Sequence, residues 1–148
     1  MTKEKNDLLY VCSLIEFVGR LTKNRNADIV KLIGKEELKR QLKVADLNHC
    51  LTFEQVASEM VEDFAIPTGS FDPVAKCKYT VPSVIPIGSV YADLILDLQG
   101  TNPKELADLA YDVFTSFISD EISNFNASTY YENPSYLYHS YMAGELLA

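Results

Sequence analysis

The side chains that could do chemistry are dispersed along this sequence rather than gathered into motifs. The two histidines, His49 and His139, stand far apart, and the cysteines Cys12, Cys50 and Cys77 are widely spaced. This spacing fits neither a disulfide framework nor a structural zinc site. His49 directly precedes Cys50, and a neighbouring imidazole can favour the reactive thiolate of a cysteine. No signature of a cysteine nucleophile surrounds the pair, so the sequence favours a helix end with a buried thiol.

Four aspartates recur at helical spacing in the second half of the sequence. Asp93 and Asp97 form one i, i+4 pair, and Asp108 and Asp112 form another, so each pair shares one side of a helix. Metal sites in helical bundles usually also take histidines at Glu-x-x-His spacing, and that pattern does not occur here. We therefore expect a solvated acidic face, with no catalytic residue, no metal and no cofactor.

The six glycines are isolated, so the glycine-rich loops that bind nucleotide phosphates are excluded. The formal net charge of −8 opposes contact with nucleic acid or with an anionic membrane. Ten of the thirteen basic residues fall within residues 1–43, where a helix, Gly34 and a second helix resemble a helix-turn-helix. Arg40 and Lys43 occupy positions where such a motif needs apolar side chains. The basic segment is therefore interpreted as a solvated helical surface, and no nucleic-acid partner is expected.

The apolar residues recur at helical spacing along most of the sequence, which predicts an all-α fold. Thr52 and Gln55 have the spacing of a capping box, and Asn102-Pro103 and Asn133-Pro134 are typical helix starts. The first helix is expected to be capped by Asn6 or Asp7. The sequence predicts one domain, residues 1–148, built as a bundle of six to seven helices. They are expected at about residues 7–23, 27–33, 35–46, 52–64, 87–98, 102–125 and 135–147.

Residues 65–86 interrupt this pattern because they contain five helix-breaking residues, Pro67, Gly69, Pro73, Pro82 and Pro86. The segment also carries apolar and aromatic side chains, including Phe71 and Tyr79, and so is not disordered by composition. We expect a packed connecting loop with a short extended piece at residues 77–81. A long ordered loop in a small domain often carries function.

Tyrosines crowd the end of the chain, where five of them fall within residues 130–141. A tyrosine combines a large apolar ring with a polar tip, which suits protein interfaces. The candidate interaction residues are therefore Tyr131, Tyr138 and Tyr141 in this tail, with Phe71 and Tyr79 in the loop.

The sequence has neither the apolar region of a signal peptide nor an uncharged apolar run of membrane-spanning length. We therefore expect a cytoplasmic protein with reduced thiols and no membrane contact.

Several pieces of the sequence resemble a group of small bacterial proteins of unknown activity. They are Leu9–Arg20 with Thr22-Lys23-Asn24, Ala45-Asp46 with His49-Cys50, Ile85–Gly88, and Tyr130-Tyr131-Glu132 before Pro134 and Tyr141. Some members of that group are encoded near domains that resemble ADP-ribosyltransferases. The resemblance implies a partner or neutraliser of such an enzyme, and it carries over no catalytic residue.

The sequence thus predicts a non-catalytic module for protein–protein interaction or regulation, of the antitoxin-like kind. Its partner would be another protein or a second copy of the chain in a homodimer. The alternative is a small enzyme, or a domain that binds a small ligand or metal, using the loop 65–86 and the acidic helices. His49, Cys50 and Asp93 are the candidate residues of that alternative site.

Overall fold

The computed structural model describes residues 2–148, and this part of the chain forms eight α-helices, one 3-10 turn and no strand. The predicted all-α fold is confirmed. The helices are α1 (Lys3–Thr22), α2 (Asn26–Asn48), α3 (Phe53–Asp63), α4 (Pro73–Lys76), α5 (Val84–Thr101), α6 (Leu106–Phe114), α7 (Phe117–Ser123) and α8 (Pro134–Ala143), with the 3-10 turn at Thr129–Tyr131.

Helix α1 lies at the centre of the bundle because it is apolar over more than one face. It packs most extensively against α5 and also contacts α2 and α3. Leu8, Cys12, Leu14 and Val18 are fully buried in this core, as the sequence predicts for Cys12. Helix α2 in turn packs on α6, and α5 packs on both α6 and α8.

The first helix begins earlier than the sequence predicts. The hydroxyl oxygen of Thr2 accepts a hydrogen bond from the backbone N–H of Lys5 at 3.1 Å, so Thr2 is the N-cap. The prediction of a cap at Asn6 or Asp7 is wrong, because the helix has already started there. The Asp7 carboxylate instead forms an ion pair with the Lys3 ammonium at 2.7 Å.

Two local signals in the next segments are confirmed. Gly34 has φ 80° and ψ 171°, a left-handed conformation that suits glycine, and it divides α2 by a kink at the predicted break. At the start of α3 the Thr52 hydroxyl accepts from the Gln55 backbone N–H, and the Gln55 side chain accepts from the Thr52 backbone N–H. This is the predicted capping box.

The loop predicted at residues 65–86 is shorter in the structure than predicted. It contains the helical turn α4, and α5 already begins at Val84 rather than at residue 87. Pro86 is accommodated because it lies in the first turn, where the backbone N–H groups have no partner within the helix. The predicted extended piece at residues 77–81 is not a strand. At its other end α5 continues past Leu98 to Thr101.

The helix predicted at residues 102–125 is wrong at its start and in its continuity. It begins only at Leu106, and it is broken between α6 and α7 at Thr115 and Ser116. The Thr115 hydroxyl donates to the Tyr111 carbonyl at 2.7 Å, and the Ser116 hydroxyl donates to the Val113 carbonyl at 2.7 Å. These hydroxyls satisfy the last turn of α6, and Ser116 then caps α7, which ends the continuous helix.

The last helix starts as predicted and ends early. The Asn133 side chain accepts from the Ser135 backbone N–H at 2.8 Å, and Pro134 occupies the first turn. Gly144, with φ 79°, terminates α8 after Ala143, whereas the sequence predicts a helix to residue 147.

Candidate functional site

Three of the five candidate interaction residues lie around one surface feature. Tyr79 and Tyr131 are 69% and 68% exposed, and both line a cleft of about 290 Å³ together with Phe125 and Asn126. Phe71 lines a neighbouring cleft of about 190 Å³, which also contains Phe125 and Asn126. Phe71, Tyr79 and Tyr131, grouped around Phe125 and Asn126, are called the aromatic surface below.

Asn126 connects the loop between α4 and α5 to the segment that follows α7 through hydrogen bonds. Its side-chain oxygen accepts from the Lys78 backbone N–H at 2.7 Å, and its amide nitrogen donates to the Lys76 carbonyl at 3.0 Å. The Cys77 thiol donates to the Tyr79 carbonyl at 3.3 Å. One side chain therefore bridges the two segments that carry Tyr79 and Tyr131, although 48 residues separate Asn126 from Lys78.

Arg20 supports the same two segments from within the bundle. Its guanidinium donates to the Pro82 carbonyl at 2.8 Å and lies 5.1 Å from the centre of the Phe125 ring. The same group is held by the Glu16 carboxylate at 2.7 Å, and Glu16 is only 2% exposed. Asn26 donates to the second oxygen of Glu16 at 2.8 Å. A buried ion pair thus anchors the base of the aromatic surface.

Phe71 is held through the backbone and through a cation. Its N–H donates to the Lys23 carbonyl at 2.9 Å, and the Arg25 guanidinium lies 4.8 Å from its ring centre. Arg25 also pairs with Asp120 of α7 at 3.3 Å. The loop is therefore joined to the α1–α2 connection as well as to α7.

The other two candidate interaction residues lie on α8, outside the aromatic surface. The Tyr138 hydroxyl shares a hydrogen bond with the Thr101 hydroxyl at 3.0 Å, at the end of α5. Tyr141 is partly buried, and this burial, with the nearby Asp112 carboxylate, raises the pKa of its hydroxyl. Both side chains pack against their own bundle.

The structure does not bring His49, Cys50 and Asp93 together. His49 caps α2 and stacks on Tyr10, with 4.7 Å between ring centres. Cys50 is exposed, so the expected buried thiol is wrong. Asp93 pairs with the Lys5 ammonium at 3.4 Å and lines a different cavity from His49, beside Glu132.

The acidic helices face the basic first segment of the chain. Asp108 pairs with Lys35 at 3.8 Å, and Glu105 pairs with Lys39 at 3.4 Å. Asp97 has a raised pKa, caused first by burial and then by the negative charge of Asp93. Basic residues of the first segment thus form ion pairs with acidic residues of the second half of the chain. Each exposed pair of this kind contributes little to stability.

The polar cluster of Glu16, Arg20, Asn26 and Tyr91 inside the bundle was not predicted from the sequence. Tyr91 is fully buried, and its hydroxyl donates to the Ser119 carbonyl at 3.2 Å. A signal was present, because Glu16 lies one helical turn after Cys12 on the apolar stripe of α1, with Arg20 one turn further on.

Among the described residues 2–148, no three His, Cys, Asp or Glu side chains converge in a way that could hold a metal ion. Every helix in this part of the chain is too short or too polar to cross a lipid bilayer.

The chain was also compared with known proteins. Family models, curated proteins and solved structures gave no match to it.

Proposed function

We propose that this protein is a non-catalytic binding module of the cytoplasm that recognises a protein partner through the aromatic surface. The observation that carries the proposal is that Tyr79 and Tyr131 line the same cleft. These two rings are more than two-thirds exposed, and they come from segments far apart in the sequence. Exposed tyrosines are enriched in protein interfaces, where the ring is buried and the hydroxyl finds a partner.

The lining of the cleft favours a particular kind of contact. Tyr79, Phe125, Tyr130 and Tyr131 supply its rings, and Asn126 and Ala127 complete the lining, so no formally charged side chain takes part. A partner would place an uncharged side chain against these rings, because an ion would lose its hydration there without a counter-charge.

The segments that carry the aromatic surface are held in place, which favours binding of a partner there. Asn126 holds the loop by two hydrogen bonds, and Arg20 holds the Pro82 carbonyl and the Phe125 ring from below. A surface whose residues are already held in place loses less conformational entropy when a partner binds. An antitoxin-like or other regulatory role is the class of function that we propose for this contact.

The test compares three tagged forms of the protein, purified from the native host and analysed by quantitative mass spectrometry. We expect a stoichiometric partner with the wild type and its loss with the double variant Tyr79→Ala/Tyr131→Ala. The matched control is Leu47→Ala, since Leu47 is 75% exposed and lies outside the aromatic surface. Equal recovery with all three forms, or recovery of no partner by the wild type, would contradict the proposal. Recovery of a second copy alone would assign the surface to a homodimer.

A further inference from the structure

The aromatic surface carries positive charge at its edge, although the protein as a whole is acidic, with a formal net charge of −8. Residues 44–148 contain three basic side chains, which are Lys76, Lys78 and Lys104. Lys76 lines the cleft that contains Phe71. Lys78 directly precedes Tyr79, and the Asn126 side chain accepts from its backbone N–H at 2.7 Å. Two of the three cations in this part of the chain therefore lie at the aromatic surface.

Two further cations reach the same edge from the α1–α2 connection. The Lys23 carbonyl accepts from the Phe71 backbone N–H at 2.9 Å, and the Arg25 guanidinium lies 4.8 Å from the centre of the Phe71 ring. The side chains of Lys23 and Arg25 are both more than half exposed. We refer to Lys23, Arg25, Lys76 and Lys78 as the basic rim.

The carboxylates near the basic rim already have partners. Asp72 lies 3.9 Å from the Lys23 ammonium, and Asp120 lies 3.3 Å from the Arg25 guanidinium. Glu132 follows Tyr131 in the sequence, but it lines a different cavity and accepts a hydrogen bond from a serine hydroxyl. These acidic groups offset the charge of Lys23 and Arg25 and leave the two lysines of the loop.

Lys76 and Lys78 are both exposed, and neither forms an ion pair with a residue in the range 2–148. A carboxylate of a partner can therefore pair with either ammonium group without breaking a contact within the chain. The two lysines flank the loop beside the cleft of Tyr79 and Tyr131, whose lining has no formal charge. The surface thus combines a place for an uncharged side chain with positive charge at its edge, which is the usual arrangement of an apolar interface centre and a polar rim.

We propose that the partner segment bound at the aromatic surface is an acidic peptide, an inference that rests on the proposed function above. An uncharged apolar or aromatic residue of the segment lies against Tyr79 and Tyr131, and Asp or Glu residues beside it pair with Lys76 and Lys78. Complementary charge of this kind governs which partner binds and how fast it associates. A nucleic acid fits less well, because it brings a phosphate at every nucleotide towards a protein of net charge −8.

Three short synthetic peptides test the proposal. The first has a phenylalanine at its centre and acidic residues on both sides, the second has the corresponding amides in place of the acids, and the third has alanine in place of the phenylalanine. Each is titrated into ¹⁵N-labelled protein, and the backbone amide shifts of Lys78, Tyr79 and Asn126 are followed by NMR. We expect saturable shifts with the first peptide and weaker binding of the other two. The advantage of the acidic peptide over its amide form should shrink as salt is added.

Charge variants of the loop separate the contribution of the two lysines. Lys76→Gln/Lys78→Gln should weaken binding of the acidic peptide by about three- to tenfold, as expected for two exposed ion pairs, and leave the amide peptide unchanged. Lys39→Gln/Lys43→Gln is the matched control, because it removes the same charge from exposed positions of α2 that line neither cleft. The reversed variant Lys76→Glu/Lys78→Glu should bind a phenylalanine peptide with flanking lysines more tightly than the acidic one.

Four results would overturn the proposal. The first is the absence of saturable shifts with the acidic peptide, and the second is equal affinity for the acidic and the amide peptide. The third is an equal loss in the α2 control, which would assign the effect to net charge alone. The fourth is tighter binding of a single-stranded oligothymidylate of about eight nucleotides, which would assign the rim to nucleic acid.

The proposed function is judged by a separate result. If Tyr79→Ala/Tyr131→Ala loses the partner from the native host while Lys76→Gln/Lys78→Gln retains it at wild-type level, the aromatic surface binds a partner that is not acidic. If the tyrosine variant retains the partner as well, the proposed function itself fails.

Discussion

Gly88 of α5 lies against Ser13 of α1 with no room for a side chain between them. A methyl group on Gly88 would come within 2.8 Å of the Ser13 backbone nitrogen and 2.9 Å of its Cα. This close approach joins the two most extensively packed helices of the bundle. It also accounts for the burial of the Ser13 hydroxyl, which lies against Gly88 in the contact between α1 and α5.

Replacing Gly88 by alanine should therefore force α1 and α5 apart. We expect Gly88→Ala to lower the free energy of unfolding by about 1–3 kcal/mol, as overpacking of a tight core does. The matched control is Gly100→Ala in the same helix, because nothing lies within 4 Å of the added methyl group there. That control should raise the free energy of unfolding by about 0.5 kcal/mol through helix propensity. Urea denaturation measures both, and equal effects would refute the close-packing argument.

The ion pair of Arg20 with Glu16 is expected to contribute more to stability than the ion pairs that are exposed on the surface. Arg20→Met leaves the Glu16 carboxylate buried with only Asn26 as a partner, and loss of one member of a buried ion pair costs about 3–5 kcal/mol. Lys39→Met breaks the exposed pair with Glu105 and should cost less than about 1 kcal/mol. Denaturant unfolding at neutral pH gives both values.

A second substitution checks the cause of the Arg20 effect. Adding Glu16→Gln to Arg20→Met replaces the stranded carboxylate by a neutral amide and should recover part of the lost stability. If Arg20→Met costs no more than Lys39→Met, the ion pair does not anchor the fold.

The buried hydroxyl of Tyr91 gives a third prediction. Tyr91→Phe removes its hydrogen bonds to the carbonyl and the hydroxyl of Ser119, and the unpaired Ser119 group should cost about 1–2 kcal/mol. Tyr138→Phe deletes a hydroxyl at an exposed contact with Thr101, and we expect a change within about 0.5 kcal/mol. Thermal unfolding of the two variants should rank them in this order. An unchanged stability of Tyr91→Phe would mean that Tyr91 acts through ring packing on Phe114 alone.

The buried thiol of Cys12 should lower the stability of the protein in mild alkali. Burial raises the pKa of its thiol well above the ordinary value of 9.0. Above pH 9 the unfolded chain therefore releases this proton while the folded chain keeps it, so the free energy of unfolding falls as the pH rises. One such group contributes a slope of about 1.4 kcal/mol per pH unit.

The Cys12→Ala variant tests this assignment. Its stability should fall less steeply than that of the wild type between pH 9 and the higher pH at which the buried thiol would ionise. Cys50→Ala is the control, because that thiol is exposed. Parallel pH profiles for the wild type and Cys12→Ala would show that other groups, such as the buried tyrosines, dominate the alkaline loss.

Local features of this protein could be predicted from the sequence because neighbouring residues determine them. The capping box of Thr52 and Gln55 and the break at Gly34 are each made within a few residues of chain. Errors arose where local signals conflicted. The apolar spacing of residues 102–125 predicts one helix, but the hydroxyls of Thr115 and Ser116 bond to carbonyls of the preceding turn and end it.

The candidate sites depend on contacts between distant segments. The aromatic character of Phe71, Tyr79 and Tyr131 is visible in the sequence, and it made them candidates. Their grouping is not visible, because it requires Asn126 and Arg20 to join segments about fifty or more residues apart.

The sequence by itself determined that the chain is helical, which residues form most of its core and where several helices begin, since apolar periodicity and capping act at short range. Tertiary structure decided that Tyr79 faces the same cleft as Tyr131 and that Tyr138 lies elsewhere. It also decided that Glu16 is buried and that Cys50 is exposed. The physical reason is that burial and proximity are properties of packed helices, and packing depends on every segment that reaches the same place.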